Sequence, residues 1–502
     1  MTPPTGDLVA SVHKLLDGAG SVFGRNSNEI TDLRARLDGP LRVAIAGKLN
    51  AGKSTLLNAL VGEKVAPTDA TECTRVVTMY RNSHVYSVRA VPYSGEPVEL
   101  RFKRTANDLE FTLGDFAVDD VQYVDVGWPT ERLRDLVLID TPGLASVSDG
   151  LSERTRRFLS SGEAGPGSAD AVIYLMRHLH ETDLSFLEAF KGGLATQGAT
   201  VNSIAVISRA DEIGAARTNA METAERIANR YRADARINAV CQVVIPVAGL
   251  IAQAAATLRQ HESNALRTIA AMDRAETTEL LLSAHRFLSS PEPAELDTES
   301  RGRLLGRLGL FGVRLGVELM AAGRVQSAGD LAAALEAHSG IRHLRSVLNG
   351  QFAARASVLK ARSTLATLSA RAALHGGQKG RELRDRVRDV ERAAHELVEI
   401  GLLAQLRSGA FELTDLQASE AEARRVLGDA GAEPNVRMGL PATTTDDEVR
   451  AAALDTIGRW RTVLEDPFLS PDGREVAQGV VRSCEAVAVR VTEAASGARS
   501  RR

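Results

Sequence analysis

The chain has 502 residues, of which 44% are hydrophobic and 25% charged, and its formal net charge of -3 leaves no global basic field of the kind that binds DNA or RNA. This length accommodates more than one domain with a sizeable hydrophobic core. The three cysteines, Cys73, Cys241 and Cys484, lie far apart without CxxC spacing, which argues against a zinc site or a disulfide framework and favours a reducing compartment such as the cytoplasm.

The N-terminal segment does not resemble a secretory signal, because it has no positively charged start and reaches Asp7 before any apolar run. Apolar residues then recur at helical spacing from residue 8 to residue 38. We therefore expect residues 1–38 to form one or two helices that precede the first strand.

A short apolar run over residues 41–46 is followed by GKLNAGKS, which matches the GxxxxGK[ST] phosphate-binding motif. Gly47 and Gly52 free the backbone to curl around phosphate oxygens, Lys53 places a charge at the β- and γ-phosphates, and Ser54 offers a hydroxyl to Mg²⁺. The alternative is a glycine-containing turn that matches by chance. The residues expected to contact a nucleotide here are Gly47, Asn50, Ala51, Gly52, Lys53, Ser54 and Thr55.

Strand and helix patterns alternate from residue 41 to about residue 260, whereas the remainder of the chain reads as helix. This predicts a doubly wound α/β sheet with added antiparallel strands, followed by an all-α bundle, with a nucleotide-binding domain at 39–262 and helices at 263–502. Residues 341–374 are expected to form one helix of about 50 Å. The strands are expected at 41–46, 75–80, 85–92, 97–103, 121–126, 136–140, 170–176, 203–208 and 243–247.

Two segments are suited to sensing a γ-phosphate. The loop at residues 65–74 carries several threonines, of which Thr74, with Thr71 in reserve, is expected to bind Mg²⁺ and to take part in catalysis. The apolar strand at 136–140 ends in Asp140-x-x-Gly143, where the carboxylate can hold a Mg²⁺-bound water and the glycine N–H can reach the γ-phosphate. A plain threonine-rich loop and an aspartate that only caps a turn are the alternatives.

The sequence after the strand at 203–208 resembles the [NT]KxD guanine signature, with Ser208 and Arg209 as imperfect matches and Asp211 as the specific one. A carboxylate can accept hydrogen bonds from guanine N1 and the 2-amino group, whereas adenine has an acceptor at N1 and no amino group there. Asp211 therefore favours GTP over ATP, although a polar helix cap is the alternative. Val247 and Ala248 are expected to offer a free backbone N–H to the guanine carbonyl.

Many small GTPases place a water-orienting glutamine after the second motif, and this chain has Leu144 there. The attacking water must therefore be oriented by the Thr74 loop, by a K⁺ ion held near Asn50, or by a second protomer. Asn50 can instead only brace its loop.

The ordered set GKLNAGKST, APTDATECT, DTPGL, SRADE and PVAGL resembles the bacterial dynamin-like GTPases, in particular the isoniazid-inducible IniA and IniC group. The likeness extends to residues 307–323 and 339–361. It implies a GTPase head, a neck that includes the N-terminal helices, and a trunk whose tip touches lipid. It also implies hydrolysis of GTP to GDP and phosphate, self-association through the heads or pairing with a related paralogue, and membrane remodelling at the inner face of the plasma membrane. Classical dynamins have Gln-Ser where this chain has Leu49-Asn50.

A membrane contact is suggested by residues 341–400, which hold 12 Lys or Arg and 6 Asp or Glu, a local balance of +6. Several of these cations crowd beside the HGGQKG turn at 375–380, in a basic tip expected near 375–388, and such a tip gains about 1 kcal/mol per charge near anionic lipid. A solvated helix face, with Asp385 and Asp389 pairing locally, is the alternative. The crowded cations are Lys379, Arg381, Arg384, Arg386 and Arg388.

Two other functions remain open at this point. An asparagine at the position of Asn50 is also typical of TrmE- and Era-like GTPases, which act on RNA or ribosomes. The chain, however, shows no KH-type RNA-binding module. The missing glutamine and the altered guanine signature are also compatible with a scaffold that binds GTP and hardly turns it over.

Overall fold

The computed structural model describes residues 6–24, 27–67, 76–104, 109–142, 169–193, 202–409, 411 and 419–499. Strands occur up to residue 247, and every regular element described after it is helical. This arrangement confirms the predicted fold class. Within the described residues, no helix combines the length and the apolar character needed to cross a membrane.

A sheet of nine strands forms the core of the N-terminal half, in the order β11-β10-β9-β1-β8-β2-β7-β3-β4. The five strands from β11 to β8 are parallel, and β2 adds to β8 in the antiparallel direction. The strands are β1 (Leu41–Gly47), β2 (Thr78–Asn82), β3 (Ser87–Pro92), β4 (Val98–Glu99), β5 (Phe102–Arg104), β6 (Leu109–Phe111), β7 (Val121–Trp128), β8 (Leu136–Asp140), β9 (Ala171–Met176), β10 (Ser203–Ser208) and β11 (Val243–Val247).

One predicted strand was wrong. Residues 97–103 form two strands that belong to different sheets, because β4 pairs with β3 at the edge of the large sheet whereas β5 pairs with β6 in a separate ribbon. The chain changes partner at Leu100, whose N–H donates to the Val88 carbonyl at 2.8 Å and whose side chain is buried.

The parallel strands bring the predicted motifs to one edge of the sheet. Ile45 lies beside Asp140 in the β1–β8 register, and Gly47 lies beside Leu175 in the β1–β9 register. Ser208 at the end of β10 lies beside Val247 at the end of β11. The carboxyl ends of parallel strands are where α/β sheets bind ligands.

Two helices precede β1, several lie between the strands, and all regular elements described after β11 are helices. They are α1 (Gly6–Phe23), α2 (Asn28–Asp38), α3 (Lys53–Val61), α4 (Glu181–Gly193), α5 (Ile213–Ala216), α6 (Ala220–Arg232), α7 (Ala235–Asn238), α8 (Gly249–Ala256), α9 (Gln260–Ala270), α10 (Arg274–Leu280), α11 (Ala284–Ser289), α12 (Thr298–Ala321), α13 (Ala328–His338), α14 (Ile341–Val347), α15 (Ala356–His375), α16 (Gly377–Ala393), α17 (His395–Ser408), α18 (Glu420–Val426), α19 (Pro434–Met438), α20 (Asp446–Leu464) and α21 (Pro471–Arg499).

The single helix expected at 341–374 was also wrong. Between α14 and α15 the backbone passes through a π-helical segment at Leu348–Phe352 and a 3₁₀ turn at Ala353–Arg355. The irregular turns place the buried Arg355 side chain where it donates to the carbonyls of Leu427 and Gly428, at 3.2 and 2.7 Å. The helix is therefore broken where Arg355 makes hydrogen bonds to a distant part of the chain. The spacing of apolar residues in the sequence does not reveal this break.

Helices α15 and α16 form a hairpin that packs with the two N-terminal helices. The rings of Phe23 and His375 lie 5.8 Å apart at its end, and Arg371 pairs with Glu29 at 3.2 Å. At the other end Lys360 donates to the Gly39 carbonyl at 2.6 Å, just before β1. These two ends of α15 are about 22 Å apart along the helix axis.

Helices α17 to α21 form a second helical group. Thr445 and Glu448 make the capping box that their spacing predicts at the start of α20. In the core of this group the Glu399 carboxylate accepts hydrogen bonds from Arg437 and Ser483 and lies 3.1 Å from His395 Nε2.

Candidate functional site

The phosphate-binding loop has the curled backbone that its sequence predicts. Gly52 has φ 89° and Asn50 has φ 59°, both in the left-handed region, and α3 begins directly afterwards at Lys53. At Gly47 a Cβ atom would lie 2.6 Å from the Leu175 carbonyl oxygen, so β1 approaches β9 too closely for any side chain there. The loop thus needs glycine at both motif positions for different physical reasons.

Lys53 is 9% exposed, and its ammonium group donates to the carbonyls of Gly47 and Lys48 at 3.3 and 3.2 Å. Burial lowers the pKa of Lys53, while the charge of Asp140 acts in the opposite direction. The cation is therefore held over the loop by the loop's own backbone, near the carboxylate of the second motif.

Ser54 and Asp140 come together as the sequence predicts. The Ser54 hydroxyl donates to Asp140 Oδ2 at 2.8 Å, whereas Asp140 Oδ1 is buried and has no hydrogen-bond partner within the described residues. Burial raises the pKa of Asp140, opposed by the charge of Lys53 and the Ser54 hydrogen bond. An orphan carboxylate oxygen beside a hydroxyl is a donor set that fits Mg²⁺.

A cavity of about 170 Å³ adjoins the phosphate-binding loop and is enclosed by the two segments expected to recognise guanine. Residues from α3, β10 and the start of α8 share its wall. The side that meets the loop includes Ala51, Gly52 and Thr55, and the other side includes Ser208, Arg209, Asp211, Val247, Gly249 and Leu250.

Asp211 is 6% exposed, in a 3₁₀ turn that follows the left-handed Arg209. Burial raises the pKa of Asp211 to about 6. The imperfect positions of the signature have other partners: Ser208 donates to the Met176 carbonyl at 3.3 Å, and Arg209 pairs with Glu212 at 2.9 Å. Asp211 is thus the buried acceptor of this set.

One backbone N–H group that was expected to be free for guanine already has a hydrogen-bond acceptor. The Ala248 N–H, expected to face the guanine carbonyl, instead donates to the Ser339 carbonyl at 2.9 Å. The backbone beyond it turns into α8, and Gly249 and Leu250 line the cavity in its place. The N-terminal N–H groups of α8 have no acceptor within their own helix, so this corner of the cavity can still donate.

Sequence reasoning missed a contact between the phosphate-binding loop and a buried carboxylate. Lys48 lies 3.2 Å from Asp183, which is 1% exposed and also accepts from the Tyr174 hydroxyl at 2.7 Å. No spacing rule links Lys48 to a carboxylate 135 residues away, so only the fold could reveal it. The contact fixes the second residue of the loop to the start of α4.

Several predicted residues lie outside the described ranges, namely Thr71, Thr74, Gly143 and Leu144. Asn50 is described and exposed, beside the 63%-exposed Leu49. The roles expected for these residues stay predictions.

Comparison with known proteins gives a consistent result. The profile described as the dynamin family matches residues 43–188. The isoniazid-induced protein IniC of Mycobacterium tuberculosis is 37% identical over 459 residues, which cover 91% of this chain and 92% of that protein. A bacterial dynamin-like protein of Nostoc punctiforme is 28% identical over 190 residues, 35% of this chain and 26% of that one.

A solved structure of an oligomerised bacterial dynamin pair, described as a mechanism for long-range sensing and tethering of membranes, aligns with 100% of this chain and 77% of its own. The sequence identity is 13% and the TM-score 0.30. A score this low supports no conclusion about how the parts of the molecule are arranged.

Proposed function

Because this chain belongs to the dynamin family, in the group of the isoniazid-induced protein IniC, we propose that it binds GTP with Mg²⁺ and hydrolyses it to GDP and phosphate. The observation that carries the proposal is the continuity of the site. Ser54 and its partner Asp140 adjoin a cavity whose far wall holds the buried carboxylate of Asp211.

Each part of the site has a distinct task in this proposal. The backbone between Gly47 and Lys53 binds the phosphates, and the Lys53 ammonium moves from the loop carbonyls to the β- and γ-phosphate oxygens. Ser54 and Asp140 would hold Mg²⁺, and the bound ion would supply positive charge to neutralise the charge that develops on the phosphates. Asp211 accepts from guanine N1 and the 2-amino group. Thr74 and Gly143 complete the γ-phosphate contacts.

The attacking water is oriented by groups other than a glutamine. We assign this step to the Thr74 backbone, assisted by K⁺ at Asn50 or by a second head that docks over the exposed Leu49 and Asn50. Both forms of assistance make turnover depend on conditions outside one protomer, namely the monovalent cation or the protein concentration.

We further propose that GTP-driven self-association acts on membranes, with the protein cytoplasmic and peripheral at the inner face of the plasma membrane. The end of the α15–α16 hairpin supports this, because Leu374 is 76% exposed there beside the exposed Lys379 and Arg381. An apolar side chain with two cations at a projecting tip suits an anionic lipid surface. A related dynamin-like paralogue is a further candidate partner.

The first prediction tests the enzyme. Lys53→Ala should lower GTP turnover at least about 100-fold, because it removes the charge that stabilises the transferred phosphoryl group. Phosphate release is measured with Mg²⁺, in K⁺ and in Na⁺ buffers, with and without anionic liposomes. Lys64→Ala, the same change outside the phosphate-binding loop, should leave turnover unchanged.

Equal and negligible phosphate release by the wild type and Lys53→Ala, with GTP still bound, would replace the enzyme by a GTP-binding scaffold. Turnover that is the same in K⁺ and Na⁺ would remove the cation role of Asn50. If the wild-type protein does not co-sediment with anionic liposomes, either in the presence or in the absence of GTP, only the membrane part of the proposal is contradicted.

A further inference from the structure

Helix α12 is interrupted beside the cavity of about 170 Å³ that Asp211 and Leu250 line, which we call the base cavity. Gly309, in the middle of the helix, has φ 64° and ψ 172°, a backbone conformation that is open essentially to glycine alone. A Cβ atom on Gly309 would lie 3.6 Å from Asp211 Oδ2 and 3.4 Å from Leu250 Cδ2. The backbone of a helix from the C-terminal region therefore backs the carboxylate that we assign to guanine.

The Asp211 carboxylate has little else to hold it. Within the described residues no side chain donates a hydrogen bond to it; its own backbone N–H does, and burial is the largest influence on its pKa. Beyond that bond, the break in α12 and the Leu250 side chain lie next to it, because a Cβ built on Gly309 would be in van der Waals contact with both Asp211 Oδ2 and Leu250 Cδ2. A carboxylate that reads two adjacent N–H groups must be held within a few tenths of an ångström to do so.

The half of α12 that follows Gly309 contacts two neighbouring segments, α8 and the chain after the Asp211 turn. A Cβ on Gly312 would lie 2.7 Å from Ile251 Cγ2, so the helix sits directly on α8. Arg314 donates to the carbonyls of Ala215 and Ala216 at 2.9 and 2.7 Å, in the segment that follows the Asp211 turn. The break at Gly309 and the Asp211 turn are thus clamped in one relative position.

The same part of the chain holds the other recognition segment. Ser339 accepts the Ala248 N–H at 2.9 Å, and Gly340, with φ 76°, approaches so closely that a Cβ there would lie 2.2 Å from the Pro246 carbonyl oxygen. Residues 309–340 therefore contact both walls of the base cavity.

We propose that Gly309 is a positioning residue for guanine selectivity, and that residues 309–340 of the helical region hold the two recognition segments in the arrangement that distinguishes guanine from other bases. The inference rests on the proposed binding of GTP. It makes base selectivity a property of the head and the helical region together.

The test compares GDP with IDP, which lacks the 2-amino group that Asp211 is expected to bind. Wild-type protein should prefer GDP about 10- to 100-fold, the effect of one hydrogen bond to a charged group. In Gly309→Ala, whose Cβ forces the backbone out of its conformation, the preference should fall below about 3-fold. Affinities are measured by calorimetry on the full chain with Mg²⁺.

Two glycines of the same helix serve as controls. Gly306 has open space around its Cβ position, so Gly306→Ala should leave the preference unchanged. A Cβ on Gly316 would lie 3.0 Å from Leu266 Cδ1 on α9, so Gly316→Ala strains the packing of α12 away from the cavity. It should lower the melting temperature yet keep the GDP preference, which separates positioning from general destabilisation.

A Gly309→Ala protein that keeps the wild-type preference overturns the inference while leaving the proposed function intact. If that variant does not fold, hydrogen exchange of the wild type decides: amides of residues 305–312 must be protected more by GDP than by IDP, and equal protection overturns the inference. A wild type that binds neither nucleotide overturns the proposed function and this inference with it.

Discussion

The charge of Asp211 should govern the pH dependence of nucleotide binding, because guanine recognition requires an ionised acceptor. Burial raises the pKa of this carboxyl to about 6 in the free protein. We expect GDP affinity relative to ADP to be constant above about pH 7 and to fall roughly tenfold per unit below pH 6. ADP carries the same diphosphate, so the ratio cancels phosphate titration.

The measurement is the ratio of the two dissociation constants between pH 5 and pH 8. Asp211→Asn should show a small ratio that does not change with pH. A wild-type ratio that stays constant down to pH 5 contradicts the assignment. The contribution of Asp211 to folding stability has the opposite pH dependence. Because burial raises the pKa of this carboxyl from 3.8 to about 6, its contribution to the unfolding free energy of the free protein is fully present below about pH 3.8. That contribution is lost as the pH rises through 6.

At the level of single residues, sequence reasoning succeeded where a motif is local. Lys53, Ser54 and Asp140 meet because a strand–loop–helix and its neighbouring parallel strand fix their positions. The contacts that it missed involve partners distant in the chain, such as the Ala248 N–H on Ser339 and Lys48 on Asp183. A motif specifies its own loop and carries no information about what packs on that loop.

Among the helical elements, the buried charges around Glu399 should contribute strongly to stability. Burial pushes the pKa of Glu399 upward, but the Arg437 charge and the hydrogen bonds from His395 and Ser483 outweigh it and hold the pKa well below its usual range. Arg437→Met leaves this carboxylate buried without its cation, so we expect a loss of about 3–5 kcal/mol in unfolding free energy.

Urea unfolding at pH 8 and pH 5 measures the effect. The loss should shrink at pH 5, because the unpaired carboxyl takes up a proton whereas the wild-type carboxylate stays charged down to below its unfolded pKa. Arg459→Met, which removes an exposed cation from Glu422 and Asp455, is the control and should cost under about 1 kcal/mol. Equal losses for the two variants would disprove the role of burial.

Element type followed from hydrophobic periodicity, whereas element continuity did not. The strand expected at 97–103 divides because its two halves pair with different partners, and the helix expected at 341–374 is interrupted where Arg355 reaches the Leu427 and Gly428 carbonyls. Apolar spacing records which side of a segment is buried. It does not record which neighbour buries it, and that neighbour decides where the segment ends.

For the molecule as a whole, the end of the α15–α16 hairpin offers a narrower basic surface than composition suggests. Arg386 lies against Gly18 of α1, and Arg388 pairs with Asp385. Lys379 and Arg381 are exposed, and the described residues provide no hydrogen bond or ion pair to either of them. Charge reversal of these two residues should therefore weaken binding to anionic vesicles at least about tenfold.

Co-sedimentation with vesicles of anionic and of neutral lipid measures this change. The matched control is the double reversal of Arg226 and Arg230, two exposed cations on α6 of the head. Equal loss in both variants would mean that net charge alone attracts the protein. Unchanged binding of the tip variant would place the lipid contact elsewhere.

The Arg36 side chain joins three distant parts of the chain on the side of the sheet opposite the nucleotide site. It donates to Asp170 Oδ1 at the start of β9 and to the Ser363 hydroxyl on α15. The Arg36 and Asp170 side chains, which form an ion pair, are both buried. The boundary expected between residues 38 and 39 therefore divides an ion pair. A head fragment starting at residue 39 would lose Arg36 and leave Asp170 with only the backbone N–H and the charge of Arg42, so we expect it to be less stable than a fragment that retains α2.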